Sequence, residues 1–377
     1  MTNPYLVCKR CVMDTSDPDI AFDGSGTCAH CTAYLAEIAR LPAMGEDWLA
    51  RLGELAERIK RDGAGRPYDC VIGLSGGLDS TYLAYVAVRE MGLRPIALHV
   101  DNGWNSELAV SNVEKTVATL GLDLRTVVLD WDEFRELQLA FLKASTPDCE
   151  IPTDHAIATS MYRIAAEFGL RWILSGENFV AERIAPAAWS RGHADGRYIR
   201  SVNRLHGSGR LRRYMLRTRL DELRWRYWNR IKWVKLFDRA RFDPAVAVAT
   251  VERELGWRPY PAKHYESIYT KFFQGYLLPM KFGFDKRRAH LSNLICAGRL
   301  TRDEALARLQ KPAVDPDEVR ELLIYVAKKF RLKSEALAAI LAEPPKTYWD
   351  YPNRYNAPAY AAARFLWRRV LKPLLGR

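Results

Sequence analysis

"CVIGLSGGLDSTYLAYVAV", residues 70–88, decides the fold. An apolar run ends in Ser75-Gly76-Gly77, and an apolar pattern of helical period resumes behind Leu78. A strand entering a helix through two glycines reads as a phosphate cradle, with a glycine-rich αL turn and a capping serine as the plain alternative. Glycine admits backbone conformations closed to other residues and lets main-chain N–H groups approach an anion, while the positive end of the helix points at the same place. Ser75 and Ser80 add hydroxyl donors. The lysine of G-x-x-x-x-G-K-[ST] is missing, and so is the G-x-G-x-x-G of dinucleotide folds. Asp79 would repel a bare phosphate, so the loop predicts a magnesium ion bridging carboxylate and phosphates.

Outward from this stretch the period alternates. YDCVIGL (68–74), RPIALHV (94–100), LRTVVL (124–129) and RWILS (171–175) are apolar runs separated by helix-length segments. That pattern predicts an α/β fold with a doubly wound parallel sheet, in which ligands bind beyond the carboxyl ends of the strands. Ser75–Ser80, then Asp101 and Asn102 with Gly103, then Gly176, Glu177 and Asn178 all fall at such ends. Asp101 and Asn102 are expected on the adenosine side. Glu177 is expected to hold a second magnesium or to position ammonia, with turn formation and capping as the plain alternative.

Cys8, Cys11, Cys28 and Cys31 form C-x2-C pairs separated by sixteen residues, the spacing of a four-thiolate tetrahedral zinc site. The intervening MDTSDPDIAFDGSGT has too little apolar content to fold without metal. Four cysteines close the coordination shell, so the zinc is expected to be structural, with an oxidised disulfide pair as the alternative.

The chain has 377 residues, 48% of them apolar, with no apolar run of membrane-spanning length and no signal-peptide layout at MTNPYLVCKRC. A cytoplasmic location is expected, reaching to the inner membrane face if the basic segments bind anionic lipid. The organisation expected is a zinc module over 1–45, an α/β core over 46–182 and a mainly helical basic region over 183–377. Within that last region TRDEALARL, PDEVRELLIYVAKKF and KSEALAAILAE read as three capped amphipathic helices. Residues 183–241 carry 17 Lys and Arg against 4 Asp and Glu, with Trp225, Tyr227, Trp228 and Trp233 interleaved. Such a patch suits nucleic acid, an anionic membrane surface or an acidic partner, and a solvated helical face accounts for it equally. The basic, aromatic tail reads as a final helix that lies on a membrane or packs across a dimer.

Two further clusters carry ionisable groups. PDCEIPTDHAI places Asp148, Cys149, Glu150, Asp154 and His155 within eight residues, at the head of a helix that Thr153 also caps. KHYESIYTKF and KFGFDKRRAH gather Lys263, His264, Glu266, Lys281, Lys286, Arg287 and aromatics, which suits a nucleotide-diphosphate sugar.

SGGLDS behind a buried strand resembles the pyrophosphate loop of ATP pyrophosphatases (the adenine nucleotide alpha hydrolase-like, or PP-loop, type). Together with CKRCVMDTSDPDIAFDGSGTCAHC, VDNGWNSELAVSNVE, PDCEIPTDHAIATSMYRIA, SGENFVAE and KHYESIYTKFFQGYLLPMKFGFDKRRAHLSNLICAGRLTRDEAL, it is similar to the N-acetyl sugar amidotransferase family of surface-polysaccharide and LPS biosynthesis. These blocks run in order from residue 8 to about 310; residues 183–241 and the tail carry little of the likeness. The resemblance implies an ATP-dependent amidotransferase. It would turn an acetamido group of a UDP- or CMP-linked sugar into an acetamidino group through an O-adenyl imidate, with ATP, Mg2+ and Zn2+. It implies that Ser75, Gly76, Gly77, Asp79, Ser80, Asp101, Asn102, Gly176 and Asn178 bind ATP. Catalytic roles would fall to Asp79, Glu177, Asp154 and His155, and substrate contacts to Glu150, Lys263, His264, Lys281, Lys286 and Arg287.

The chain opens Met1-Thr2, without the N-terminal cysteine of one glutaminase class. The family implies a separate glutaminase with a cyclase-like barrel partner as the source of ammonia. A tRNA thiolation enzyme of the same superfamily is the main alternative, since those also join C-x2-C pairs to such a loop. Nucleic acid is set aside because the sugar-family blocks match and no second cysteine set appears. A non-catalytic nucleotide-binding scaffold would leave residues 148–155 unexplained.

Overall fold

In the computed structural model, residues 4–41, 46–239, 242–260, 265–358 and 360 are described. Five parallel strands form one sheet in the order β3-β2-β1-β4-β5: β1 Cys70–Gly73, β2 Pro95–Asp101, β3 Asp123–Val128, β4 Trp172–Ser175 and β5 Lys232–Lys235. The chain reverses its direction of winding between β1 and β4. The crevice for a ligand therefore opens beside the loop after β1.

Strand period two separates the two faces. Val71, Ile96, Leu98 and Ile173 pack on the helix Ile151–Glu167 through Met161, Ile164 and Ala165. Cys70, Ile72, Ala97 and Leu174 face the helices Glu46–Gly63, Leu78–Tyr85 and Pro244–Leu255 on the other side. Both faces are covered, as an all-parallel sheet requires. This is the doubly wound α/β architecture that the alternating runs predict.

The sheet does not stop at residue 182. Its fifth strand, KWVK at 232–235, arises inside the stretch read as helical, and Pro244–Leu255 packs against Leu78–Tyr85. KWVK is too short, and its outer positions too charged, to show a strand period in the sequence; pairing with β4 makes it a strand. The rest of the C-terminal region is helical, including Lys286–Cys296, Arg302–Gln310, Pro316–Lys329 and Ser334–Ala342. The last three are the amphipathic helices expected from the sequence. Thr301 and Glu304 form a reciprocal capping box at the first of them.

Among the described residues no helix is long and apolar enough to cross a membrane. Lys263, His264 and the tail from 361 onward lie outside the described residues.

Candidate active site and cysteine centre

The loop after β1 is held from beneath. Gly76 has φ +84°, and its carbonyl accepts hydrogen bonds from Trp257 Nε1 at 2.8 Å, Tyr260 OH at 3.1 Å and Asn112 Nδ2 at 3.4 Å. Ser80 Oγ lies 3.1 Å from Ser75 Oγ and donates to the Gly77 carbonyl at 3.1 Å, while the Gly77 N–H reaches Ser75 Oγ at 3.3 Å. Gly77 then caps the helix Leu78–Tyr85, whose first turn carries half-buried Asp79. The neighbouring backbone approaches closely: a Cβ on Gly176 would lie 2.5 Å from the Asp79 carbonyl oxygen. Ser75, Gly76, Gly77, Asp79, Ser80 and Gly176 therefore meet at one place, a glycine-floored concavity at a helix N-terminus. That donor set fits a pyrophosphate, with Asp79 as the carboxylate for magnesium.

A second segment closes over this loop. Ser106 N donates to the Glu266 carbonyl and Ile268 N to the Trp104 carbonyl, both at 2.9 Å, with Asn105 and Ser267 paired between them. A Cβ on Gly77 would sit 3.3 Å from Glu266 Oε1. Residues 265–274 thus stand beside the loop although almost two hundred residues separate them. His99 ties the same corner, with Nδ1 at 2.8 Å from the Leu74 carbonyl and Nε2 at 3.0 Å from Asn105 Nδ2.

Beyond β2, Asp101 Oδ1 accepts from Gly103 N and Asn102 Oδ1 from Trp104 N, so both side chains shape the turn. Asn102 Nδ2 also reaches Thr153 Oγ1 at 3.3 Å, joining the strand end to the 148–155 cluster. Glu177 accepts from Ser175 Oγ at 3.0 Å and pairs with Lys235 Nζ at 2.6 Å. Asn178 is buried and caps the short helix Phe179–Glu182. Its Oδ1 is taken by the Ala181 N–H, while its Nδ2 has no hydrogen-bond partner among the described residues.

In the 148–155 cluster the roles separate by burial. Glu150 accepts from Thr270 Oγ1, and from Gln274 Nε2 at 3.2 Å. Burial raises its pKa and Asp154 adds to this, while Lys286 opposes; the carboxyl is pushed up to about 7. Burial would also raise Asp148, but hydrogen bonding and charge from His193, with the charge of Lys286, hold it at about 2. His193 in turn is lowered by burial but raised more strongly by Asp148 at 3.0 Å and Asp154 at 3.2 Å, reaching about 11. Asp148 and His193 are a standing ion pair. Glu150 is the group poised to exchange a proton near neutrality.

Three expectations are corrected. His155 is fully buried, its Nδ1 donates to the His193 carbonyl at 2.7 Å and its Nε2 accepts from Arg217 N at 3.0 Å. Burial pushes its pKa down to about 4, so it is a neutral pin between two backbone groups and not a catalytic base. Lys281 turns its ammonium to the Ile340 carbonyl at 3.1 Å. Arg287 pairs with its own N-cap, Asp285, and with the carbonyl of Lys311. A backbone carbonyl thus holds Lys281, and a carboxylate with a carbonyl holds Arg287, in place of the substrate contacts expected of them. Cys149 is buried against the Phe141 and Thr146 carbonyls.

The four paired cysteines converge. All four Sγ atoms lie within 4.8 Å of one another, with Cys8 to Cys31 at 4.0 Å and Cys11 to Cys28 at 3.7 Å. A tetrahedral zinc with Zn–S bonds of about 2.3 Å separates its sulfurs by about 3.8 Å, so the cluster fits that ion. N–H groups of Arg10, Cys11 and Cys28 point at Cys8 Sγ at 3.2–3.4 Å. Arg302 clamps the knuckle by donating to the carbonyls of Cys8 and Cys11, and Arg288 pairs with Asp14 while donating to the Val12 carbonyl. Tyr34 packs on Phe179, with ring centroids 4.8 Å apart and planes tilted by 41°, and donates to the Val180 carbonyl. The module therefore braces the β4 exit and the helix Lys286–Cys296. Cys296 Sγ stands 3.5 Å from Cys31 Sγ, a fifth thiol that no spacing in the sequence announces.

Residues 266–365 match the model of a family described as LPS biosynthesis protein WbpG-like, C-terminal domain. No curated protein matches the chain. Among solved structures it is similar to NMN synthetase from Francisella tularensis, at 18% identity and a TM-score of 0.30, covering 37% of this chain and 57% of that one. Glutamine-dependent NAD+ synthetase from Acinetobacter baumannii gives 20% identity and a TM-score of 0.29, covering 35% of this chain and 24% of that one. A predicted subunit of tRNA methyltransferase from Methanocaldococcus jannaschii gives 14% and 0.28, covering 48% and 75%. The chain thus spans little more than half the length of the first of these and about a quarter of the second. At such TM-scores the likenesses carry neither fold nor function, which rest on the strand order, the loop and the matched C-terminal domain.

Proposed function

We propose that this chain is an ATP-dependent ligase of LPS biosynthesis that converts an acetamido group of a nucleotide-activated sugar into an acetamidino group. One observation carries the reading: the opening residues of the WbpG-like domain, Glu266–Ile268, are hydrogen bonded to Trp104 and Ser106 beside the Ser75–Ser80 cradle. A domain assigned to LPS biosynthesis thereby supports a wall of a phosphate site.

The chemistry follows from the leaving group. An amide oxygen does not leave by itself; when it attacks the α-phosphorus of ATP, pyrophosphate departs and an O-adenyl imidate results. Ammonia then adds to the imidate carbon and AMP leaves with the former amide oxygen. Ser75, Gly77 and Ser80 hold the phosphates in line, and Asp79 holds magnesium, which supplies charge neutralisation there. Such catalysis rests on positioning and electrostatics more than on a protein nucleophile. Glu150, tied to Thr270 and Gln274 of the same C-terminal domain, accepts the proton that the attacking nitrogen sheds. Ammonia comes from a separate glutaminase with its barrel partner.

Glu150→Gln is expected to lower kcat about 10²-fold. The working form is the carboxylate, so the wild-type rate rises as pH passes upward through about 7, and the variant loses that limb. Stability moves oppositely: the folded state holds this proton more tightly than the unfolded chain, so native stability falls as pH rises from about 4.5 to about 7. A pH series of initial rates beside a pH series of melting temperatures checks both signs. An unchanged rate profile removes Glu150 from the mechanism.

The reading itself is tested by pyrophosphate release with ATP, magnesium and ammonium, against UDP- and CMP-linked acetamido sugars, with mass spectrometry of the sugar. The expected product is about one mass unit lighter, oxygen having been replaced by NH, with one AMP formed per sugar. Release driven by tRNA and a sulfur donor, and by no sugar, overturns it in favour of thiolation.

A further inference from the structure

The basic, aromatic segment 183–241 plays no part in that chemistry, yet the fold brings three of its arginines to one cavity. A cavity of about 750 Å³ lies between the helix Ile151–Glu167 and the start of β5. Specific small-molecule sites span about 300–1,000 Å³. Its arginines are Arg217, Arg226 and Arg230, against a single lining carboxylate, Glu222. Its rings are arranged in advance: Tyr162 stacks on Trp225 at 5.0 Å with 4° between planes, and Trp233 stands 5.7 Å from Tyr162.

Two independent features mark the cavity as built. Arg217 has a side chain only 10% exposed, its Nε–H has no hydrogen-bond acceptor among the described residues, and the Glu222 carboxylate stands off at 3.6 Å. A buried guanidinium donor without an acceptor is rare in folded proteins and points to an absent anion. The backbone supplying the other arginines is irregular: Arg224–Trp228 forms a π-turn, and Arg230 follows at φ +55°. Non-glycine residues in the left-handed region and π-turns both concentrate at functional sites.

The location separates this cavity from the candidate active site. Trp172 and Lys232 begin β4 and β5, whereas Glu177 and Lys235 meet at the other end of the same strands. About 10 Å of strand lies between Lys232 and Lys235.

We infer that this cavity is a second, non-catalytic site for a nucleoside phosphate, its ring taken by Tyr162, Trp225 and Trp233 and its phosphate by Arg217, Arg226 and Arg230. Planar guanidinium groups match phosphate in two-point contacts, and stacked aromatics take a base without regard to its identity. One deep guanidinium, Arg217, beneath two exposed arginines suits a terminal phosphate entering end first.

The test is calorimetry on the full chain with magnesium, the wild type beside Asp79→Asn, whose loop site lacks the carboxylate proposed for magnesium. UDP and ADP are titrated separately, which distinguishes the nucleotide part of a sugar donor from an adenylate effector. One nucleotide per chain is expected to bind in addition to any at the loop site. Arg226→Gln with Arg230→Asn should weaken it at least tenfold, as should Trp233→Leu, while Asp79→Asn leaves it unchanged. The first pair changes exposed side chains, and asparagine tolerates the left-handed position, so an unaltered melting temperature and unaltered loop-site binding are expected alongside. The inference fails if no nucleotide binds beyond the loop site, if Asp79→Asn removes the heat and the arginine pair does not, or if inorganic phosphate or uridine binds as tightly as UDP. Single-stranded RNA binding more than tenfold tighter than either nucleotide, and sensitive to the same arginines, would overturn it and make the cavity part of an RNA surface.

Discussion

Gly76→Ala is expected to reduce ATP-dependent pyrophosphate release about 10²–10³-fold, the size of effect seen when one preorganised anion donor is displaced. Gly76 sits at φ +84°, where a side chain is strained by about 1–2 kcal/mol before any contact is considered. A Cβ there would lie 2.5 Å from the Ala109 carbonyl oxygen and 3.1 Å from Ala109 Cα, both backbone atoms of the helix Glu107–Leu120. Neither side can yield, because Trp257, Tyr260 and Asn112 all hold the Gly76 carbonyl. The relief is a rotated peptide, which turns the Gly77 N–H away from the phosphates. Gly65→Ala is the matched control: φ is +75° but no atom lies within 4 Å of the added Cβ, so strain alone should lower the melting temperature and leave turnover intact. Steady-state rates on both variants, with far-ultraviolet circular dichroism to confirm the sheet, decide the matter. Wild-type turnover by Gly76→Ala would show that the loop does not contact the reacting phosphates.

Cys11→Ser is expected to take bound zinc from one ion per chain to none and to lower the melting temperature by about 5 °C, as a loss of about 4 kcal/mol would in a chain of 377 residues. Structural zinc contributes about 10–16 kcal/mol to small modules, and the Asp- and Gly-rich stretch between the cysteine pairs has little core to replace it. The damage spreads because Arg302 holds the carbonyls of Cys8 and Cys11, Arg288 holds Asp14, and Tyr34 packs on Phe179. Loss of the knuckle therefore frees the β4 exit, where Glu177 pairs with Lys235. Cys296→Ser is the discriminating variant. Its sulfur is 3.5 Å from Cys31 but stands outside the two C-x2-C pairs, so the zinc count should stay at one. Metal analysis and thermal melts check both, and a Cys11→Ser chain that keeps zinc with unchanged melting would dismiss the four-thiolate assignment.

The phosphate loop and the cysteine centre were legible in the sequence because their chemistry is local. A glycine that must take a positive φ, a hydroxyl five residues on and two C-x2-C knuckles are statements about backbone over a few positions. The same holds for β1 to β4, whose apolar runs stand out, and for the capped helices after Thr301. KWVK at 232–235 was not legible, since an edge strand with lysine at both ends has no period of its own. His193 was missed for a related reason: nothing in RGHADG signals a partner forty-five residues earlier.

What the residues determined by themselves is the kind of chemistry: an anion cradle between strand and helix, a thiolate metal site, and a parallel sheet to carry them. Only the tertiary structure decided which charges face that chemistry. Lys281 and Arg287 resemble Lys286 in sequence, yet carbonyls and an N-cap carboxylate claim the first two, while Lys286 acts on Asp148 and Glu150. Glu150 owes its raised pKa to burial beneath Thr270 and Gln274, and His155 becomes a neutral pin because Arg217 and His193 close on it. The physical reason is range. Backbone geometry and ligand spacing act over a few residues and are written in their order, whereas desolvation and pairing depend on which distant segments the packed core brings into contact.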